Sequence, residues 1–567
     1  MSNARSRIYA RKNANNFREL INQATDEFNT DIAFTIKNKK DNSLKDISFI
    51  DFKNDIDRLG TAILDLGFSN QKIGLLAPDC YQWCVSYLAV ATSNNIIVPL
   101  DFLLPEFEIK NLLIQSKLDG IIISKKHLDI VMNLVNAKAI NLKKIITIED
   151  YKNPNVIDFF SLLKNGETLI KNGYTTYFNQ IIDDNKLSVL IYTSGTTSKP
   201  KGVMLSQYNI CSNVSDMTML EKHNPNDSML IFLPLHHTLA CTTSFLWCYF
   251  TGFRIYFADS IKDIGKNMKE YHICGIVGVP AVIDIIHKTI IRKLKNLNRY
   301  KSFKFMSIIT NILYFFKIDV RRKVYKEIID ALGGNIKRII CGSASANKDV
   351  LKFFKTIGIN IYQGYGLSEA SPVISVESDK YNGNLNSAGT ILDSITVKID
   401  NPDINGIGEI CAKGPNIMLG YYKNEEATNK TIIDGWLHTG DLGKIDKKGT
   451  LFVTGRIKDM IVLSNGKKVF PEDIETLLNK INGIEESFVF ESKDGLEQIN
   501  AKIVYSSKVF SSEESAKEFI AKSLVKINKT IPVYAYVRDF TLTTTPLIKT
   551  TTGKIKREEE IKTINIH

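Results

Sequence analysis

Residues 187–202 read LSVLIYTSGTTSKPKG, and the reading of the whole chain turns on them. The first five are an apolar run of the length and branching of a buried strand. The strand runs into a tight loop that gathers the hydroxyls of Thr193, Ser194, Thr196 and Thr197, the free backbone of Gly195, and the cations Lys199 and Lys201. Backbone amides and hydroxyls crowded beside positive charge form a nest for an anion, phosphate above all. The GxxxxGK[ST] spacing of the common nucleotide loop is absent, and by itself a Ser/Thr/Gly loop reads equally well as a surface turn.

Working outward, residues 50–124 alternate helical periodicity (IDFKNDIDRLGTAILDLG) with short apolar runs (KIGLLA, IIVPL, GIIIS). That is the rhythm of parallel strands and crossover helices. It resumes in YFADSIKDI, in HICGIVGVP near Pro280 and in IKRIICGSA, where a strand ends on small residues around Ser343. Ligand sites favour such strand ends. From Asn386 to Val453 the text changes to short strands separated by Gly, Asn and Asp turns (SITVKID, GEICAKG, GTLFVTG), the pattern of antiparallel β. After GRIKD (Gly455–Asp459) a compact unit of about a hundred residues is expected, with a helix at PEDIETLLNK and a strand at SFVFES.

Composition narrows the class. A chain of 567 residues exceeds one ordinary core, so two or more domains around a shared cleft are expected. With 44% hydrophobic and 24% charged residues and 14 prolines it is globular, not disordered or fibrous. The net charge of +12 suits polyanionic small ligands or an anionic membrane, and no zinc-finger spacing or basic heptad region directs it to nucleic acid. The eight cysteines never form a CxxC pair and mostly sit among apolar neighbours, so buried free thiols are expected. The first residues lack the apolar stretch of a secretory signal, and no apolar run is long enough to span a bilayer; a cytoplasmic protein is the expectation.

Five further motifs follow the loop in order: LPLHH (Leu233–His237), GYGLSEASP (Gly364–Pro372), GWLHTGDLG (Gly435–Gly443), GRIKDMI (Gly455–Ile461) and TTGKIKR (Thr551–Arg557). Together with residues 192–202 they resemble the adenylate-forming superfamily, which includes acyl-CoA synthetases, peptide-synthetase adenylation domains and luciferases. The resemblance spans roughly residues 50 to 557. It implies an α/β fold: a large multilayer N-terminal domain with a β-rich portion (residues 1–457), then a small mobile α+β C-terminal domain (458–567) hinged at Lys458.

The resemblance also implies site residues. Thr193–Thr197 with Lys201 hold the ATP phosphates; Gly342, Ser343 and Ala344 line the adenine pocket; Tyr365 and Gly366 meet the base; and Ser368 bonds the α-phosphate. Glu369 and Thr193 hold magnesium, a hard cation that prefers oxygen ligands. Asp441 accepts the ribose hydroxyls, Arg456 contacts ribose or phosphate, and Lys554 bridges substrate carboxylate and α-phosphate during adenylation. Gly466 and Lys467, in the SNGKK stretch, resemble the loop that faces coenzyme A after the small domain rotates.

The adjacent His236 and His237 invite a metal reading, but neighbours on a strand point to opposite faces, so joint ligation is not expected. By resemblance His237 faces the carboxylate end of the acyl pocket. Residues 287–323 carry eleven Lys or Arg against one acid, Asp319, around the apolar stretch MSIITNILYFF. This resembles the insertion of long-chain fatty acyl-CoA synthetases, and two readings stand: an interfacial anchor at the inner face of a membrane, or a helix packed on its own domain. Ser198 and Gln207 depart from the usual glycine and histidine of the pattern without removing a proposed catalytic group. The expected activity is ATP-dependent activation of a carboxylic acid, a long-chain fatty acid first among candidates, followed by transfer to coenzyme A. Transfer to an acyl carrier protein and a catalytically silent lipid-binding module are the alternatives.

Overall fold

The computed structural model describes residues 12–38, 40–193, 200–220, 227–344, 346–378, 385, 387–463, 467–492, 498–550 and 553–564. Two sheets dominate the first 420 residues. One has eight strands in the spatial order 420–421, 201–206, 187–193, 96–99, 72–76, 120–123, 144–147 and 157–158. The other has nine, in the order 390–391, 373–376, 360–366, 338–341, 275–278, 228–231, 254–257, 32–37 and 44–48. Their central strands are parallel. Ile73, Leu75, Ile97, Ile121 and Ile122 are all fully buried, successive residues included, as the apolar runs predict for strands covered on both faces.

The helices between the sheets explain that covering. Helix Phe49–Asp65 starts where the Ser48 side chain accepts the Asp51 N–H, and it buries Phe49, Phe52, Ile56, Leu59 and Ile63 along one stripe. Gly60 lies on the same helix because a Cβ there would come 2.3 Å from the Tyr177 ring. Phe34, Phe52, Tyr81, Phe245 and Tyr249 interlock with centroid separations of 4.7–6.2 Å, fusing strands of one sheet with helices of the other in a single core. All eight cysteines are free and seven are buried, as their apolar neighbours suggest.

The turn-rich stretch forms the expected antiparallel sheet, in which Thr396–Asp400, Gly408–Lys413, Trp436–Ile445 and Leu451–Arg456 pair in succession. Beyond it, residues 461–564 pack around a core of their own that includes Ile474, Leu478, Ile499, Ile503, Ile520 and Leu524. Strands Ile484–Glu491 and Ile499–Tyr505 are antiparallel. Strand Val537–Thr543 then joins parallel to the second, across helix Glu513–Asn528. The chain is therefore α/β, with a large multi-sheet N-terminal part and a smaller β/α C-terminal part. Among the described residues no helix is long and apolar enough to cross a membrane.

The basic segment folds as two helices, Pro280–Asn296 and Tyr300–Phe315. One face of the second packs on the domain through Phe303, whose ring lies 5.5 Å from Phe353 and 5.3 Å from Tyr325, and through Thr310. Its other face leaves Phe305, Ile308, Ile312 and Phe315 exposed, the last by 82%. The reading of a helix packed on its own domain thus describes the face that carries Phe303 and Thr310.

Candidate active site

Register brings the motifs to one place. Strands Arg338–Cys341 and Asn360–Gly366 are parallel neighbours, so Gly342–Ala344 and Tyr365–Glu369 emerge at the same sheet edge. Ser343 has φ 78°, a left-handed conformation unusual for a residue with a Cβ, and it turns the chain immediately after the strand. Gly366 is required sterically: a Cβ there would come 1.8 Å from the Pro372 carbonyl oxygen, because strand Val373–Val376 folds straight back on it.

Asp441 and Arg456 face each other across the antiparallel pair 436–445 and 451–456. The Arg456 Nε donates to Asp441 Oδ1 at 2.7 Å, and the Tyr365 hydroxyl donates to Oδ2 at 2.8 Å. Burial works against the Arg456 charge, but Asp441 outweighs it and holds the guanidinium pKa up. Burial and the Asp441 charge together push the Tyr365 phenol well above its ordinary value, so it remains a donor. Each Asp441 oxygen retains a second lone pair for a ligand.

Glu369 is held by a residue the motifs do not reveal. The Tyr421 hydroxyl donates to Glu369 Oε1 at 2.7 Å, and Lys201 Nζ stands 4.9 Å from the centroid of the Tyr421 ring. Tyr421 reaches the site because Gly420–Tyr421 pairs with strand Lys201–Ser206 at the edge of the eight-stranded sheet. Thr193 and Lys201 are cross-strand partners. Ser194, Gly195, Thr196 and Thr197, expected at the phosphates, lie outside the described residues. Ser368 accepts a hydrogen bond from Thr238 Oγ1 at 2.9 Å; the position of Thr238 directly after LPLHH was the one available signal for it.

The histidines correct the sequence reading. Leu235–His237 is a turn, not a strand, closed by the His237 N–H on the Pro234 carbonyl at 3.1 Å. The two rings therefore share a side, centroids 4.1 Å apart, with Asp101 beside them 3.3 Å from His236 Nε2. The alternation rule applies to extended backbone, and the strand here has already ended at Ile231. Behind them Asp79 accepts the Leu235 N–H at 2.8 Å, and burial raises its pKa to about 6. Burial, with His236 and Lys554 adding to it, lowers His237 to about 3, so its imidazole is neutral at ordinary pH.

Lys554 comes from the far end of the chain. A turn in which Thr550 N–H bonds the Lys554 carbonyl and Gly553 takes φ 82° presents it to the cleft. Arg557 and Lys502 brace this segment against the C-terminal core through Glu475 at 2.7 Å and Glu560 at 2.6 Å. The Lys554 side chain stays accessible to water within the cleft. The protein around it nevertheless lowers its pKa by burial, reinforced by Arg456 and Lys458 and opposed by Asp441 and Glu369. Lys458 is lowered by burial and by Arg456 in the same way.

These groups line one cavity of about 2920 Å³, whose wall includes every described site residue expected from the sequence except Lys467. Lys467 lies elsewhere, its Nζ 5.9 Å from the Tyr534 ring; Gly466 is outside the described residues. Apolar side chains continue the wall from His237, among them Met217, Leu220, Leu233, Trp247 and Val279. Ordinary ligand pockets measure about 300–1,000 Å³, so this one has room for a nucleotide and a long second substrate.

Residues 23–422 match the family of AMP-binding enzymes, and residues 458–564 match the AMP-binding enzyme C-terminal domain. This chain is a member of the AMP-binding enzyme family. Among similar AMP-binding enzymes is the long-chain-fatty-acid–CoA ligase ACSBG2 of Gallus gallus, 33% identical over 57% of this chain and 45% of the relative, so the match spans less than half of that protein. The Homo sapiens ACSBG2 ligase is 28% identical over 82% of this chain and 72% of its own length. In fold, the chain is similar to the anthranilate CoA ligase AuaEII in complex with anthranoyl-AMP, with a TM-score of 0.78 at 17% identity, covering 100% of this chain and 99% of that one.

Proposed function

We propose that this AMP-binding enzyme joins a carboxylic acid, a long-chain fatty acid by preference, to coenzyme A by way of an acyl adenylate. One observation carries the reading: Lys554, from the C-terminal part, shares a cavity with Tyr365, Glu369, Asp441 and Arg456 from the N-terminal part. The long-chain acid is supported by the names of the relatives and by the apolar wall beyond His237.

In this reading ATP lies with its adenine between Gly342–Ala344 and Tyr365 and its ribose hydroxyls on the remaining lone pairs of Asp441. Its α-phosphate lies near Ser368. The hard oxygen donors Glu369, fixed by Tyr421, and Thr193 fit magnesium, which neutralises phosphate charge when bound. The substrate carboxylate enters beside neutral His237, and one of its oxygens attacks the α-phosphorus in line with departing pyrophosphate. Lys554 follows the negative charge that develops between carboxylate and phosphate. A carboxylate–phosphate anhydride forms, and the bond to pyrophosphate breaks. The thiol of coenzyme A then gives up its proton to solvent and attacks the acyl carbon; the thioester forms, the acyl carbon–oxygen bond breaks, and AMP leaves.

Residues 1–457 and 458–567 are proposed as the two moving parts, with Lys458 as hinge, so that Lys467 meets coenzyme A after rotation. The exposed apolar face of helix Tyr300–Phe315, with its basic flanks, is proposed to rest in an anionic membrane interface, where fatty acid accumulates. Acid-dependent exchange of labelled pyrophosphate into ATP, run from acetate to palmitate, tests the first half-reaction. Exchange with palmitate and formation of palmitoyl-CoA are expected; absence of exchange with every acid would refute the adenylation reading.

A further inference from the structure

A second cluster of metal-binding side chains borders the catalytic cleft, with Glu409 in the cleft wall. Strand Gly408–Lys413 places Glu409 and Cys411 on one face, two residues apart. Strand Trp436–Ile445 sets His438 directly opposite Cys411. His438 Nδ1 is 2.9 Å from Glu409 Oε2 and 3.4 Å from Cys411 Sγ, and one donor atom from each of the three residues lies within 4.8 Å of the others. A triangle of that size lets one ion reach all three at bond lengths of about 2.0–2.3 Å, those of zinc to nitrogen, oxygen and sulfur.

We propose that Glu409, Cys411 and His438 form a binding site for a thiophilic divalent cation of the zinc class. The donors select the ion: a thiolate and an imidazole are poor ligands for magnesium and good ones for zinc. A carboxylate and a thiolate balance the charge of a divalent ion. The Cys411 thiol proton is released to solvent as the metal–sulfur bond forms, so no oxidant or reductant is involved. Access comes from a cavity of about 460 Å³ lined by Glu409 and His438 and, on the side of the catalytic cleft, by Glu369 and Tyr421, and a water from it would complete a tetrahedron. Cys411 is buried behind them. The other Glu409 oxygen accepts the Gly440 N–H at 2.9 Å. The ion would therefore pin two strands together and fix the irregularity in their register that precedes Asp441.

Cobalt(II) added to the 567-residue chain without nucleotide tests the proposal, because a cobalt–thiolate bond produces a near-ultraviolet charge-transfer band. One equivalent should give the band in excess Mg²⁺. Cys411→Ser should abolish it, His438→Ala should weaken cobalt binding at least tenfold, and Cys341→Ser should leave it intact. Zn²⁺ should raise the Tm of the unaltered chain, and Glu409→Gln should diminish that rise, a readout that does not depend on the folding of the cysteine variant. No band in the unaltered chain, a band that survives Cys411→Ser, or a Zn²⁺ response unchanged by Glu409→Gln would overturn the site.

Discussion

The nucleotide end of the cleft and the helical pair 280–315 treat their side chains in opposite ways. In the cleft, polar groups satisfy one another before any ligand arrives: Tyr365 and Arg456 divide the oxygens of Asp441, and Tyr421 holds Glu369. Such bonds keep charges oriented in a preorganised site. The helical pair and the residue after it instead leave large apolar side chains uncovered, Phe315 and Phe316 at 82% and 67% exposure, the two most exposed phenylalanines among the described residues. The first arrangement suits a ligand that brings charge, and the second a partner that brings an apolar medium.

The contrast can be broken most sharply at Lys554. Lys554→Ala should lower pyrophosphate exchange by about 10²–10³-fold, the usual cost of removing one group that stabilises transition-state charge. Thioester formation from supplied acyl adenylate should change far less; equal loss of both half-reactions would remove the assigned role. At the other region, the double change Phe315→Ser and Phe316→Ser should weaken sedimentation with anionic vesicles by about a hundredfold or more, since each buried Phe contributes about 1.5–3 kcal/mol. Exchange with a short, soluble acid should stay the same. Vesicle binding that is indifferent to the pair would leave that face without its proposed partner.

Smaller effects sharpen the comparison inside the cleft. Asp441→Asn keeps the shape and removes the charge shared with Arg456, so KM for ATP should rise about tenfold, in keeping with 1.5–3 kcal/mol for a charged hydrogen bond. Tyr421→Phe should raise the Mg²⁺ concentration needed for half-maximal exchange by about fivefold, from loss of one hydrogen bond of about 1 kcal/mol. The smallest effect concerns pH. Lys554 must be protonated to act, and burial lowers its pKa, so kcat/KM for ATP, which reports the free enzyme, should fall on an alkaline limb below 10.5. Lys554→Arg should move that limb upward, because guanidinium stays charged; an unmoved limb would assign it to another group.

Motifs made the nucleotide residues legible because each is anchored at a strand end whose apolar run is visible in the text. Tyr421 was not legible: it acts through pairing of 420–421 with 201–206, more than two hundred residues away in sequence, and no local pattern encodes that register. The shared side of His236 and His237 was misread because the strand ends before Pro234, and a turn cancels the alternation of faces. The zinc-class triad was equally hidden. GEIC and LHTG each look like ordinary strand text, and only the pairing of Cys411 with His438 joins them.

By itself the sequence determined the α/β class, the change to antiparallel strands after Asn386, the buried thiols and the ordered set of nucleotide motifs. These rest on local periodicity and on residue chemistry, which do not depend on what lies across the molecule. Tertiary structure alone decided that Tyr421 holds Glu369, that Thr238 bonds Ser368, and which face of helix Tyr300–Phe315 is bare. Those are facts of register and packing between distant segments, where a shift of one residue turns every side chain of a strand to the opposite face.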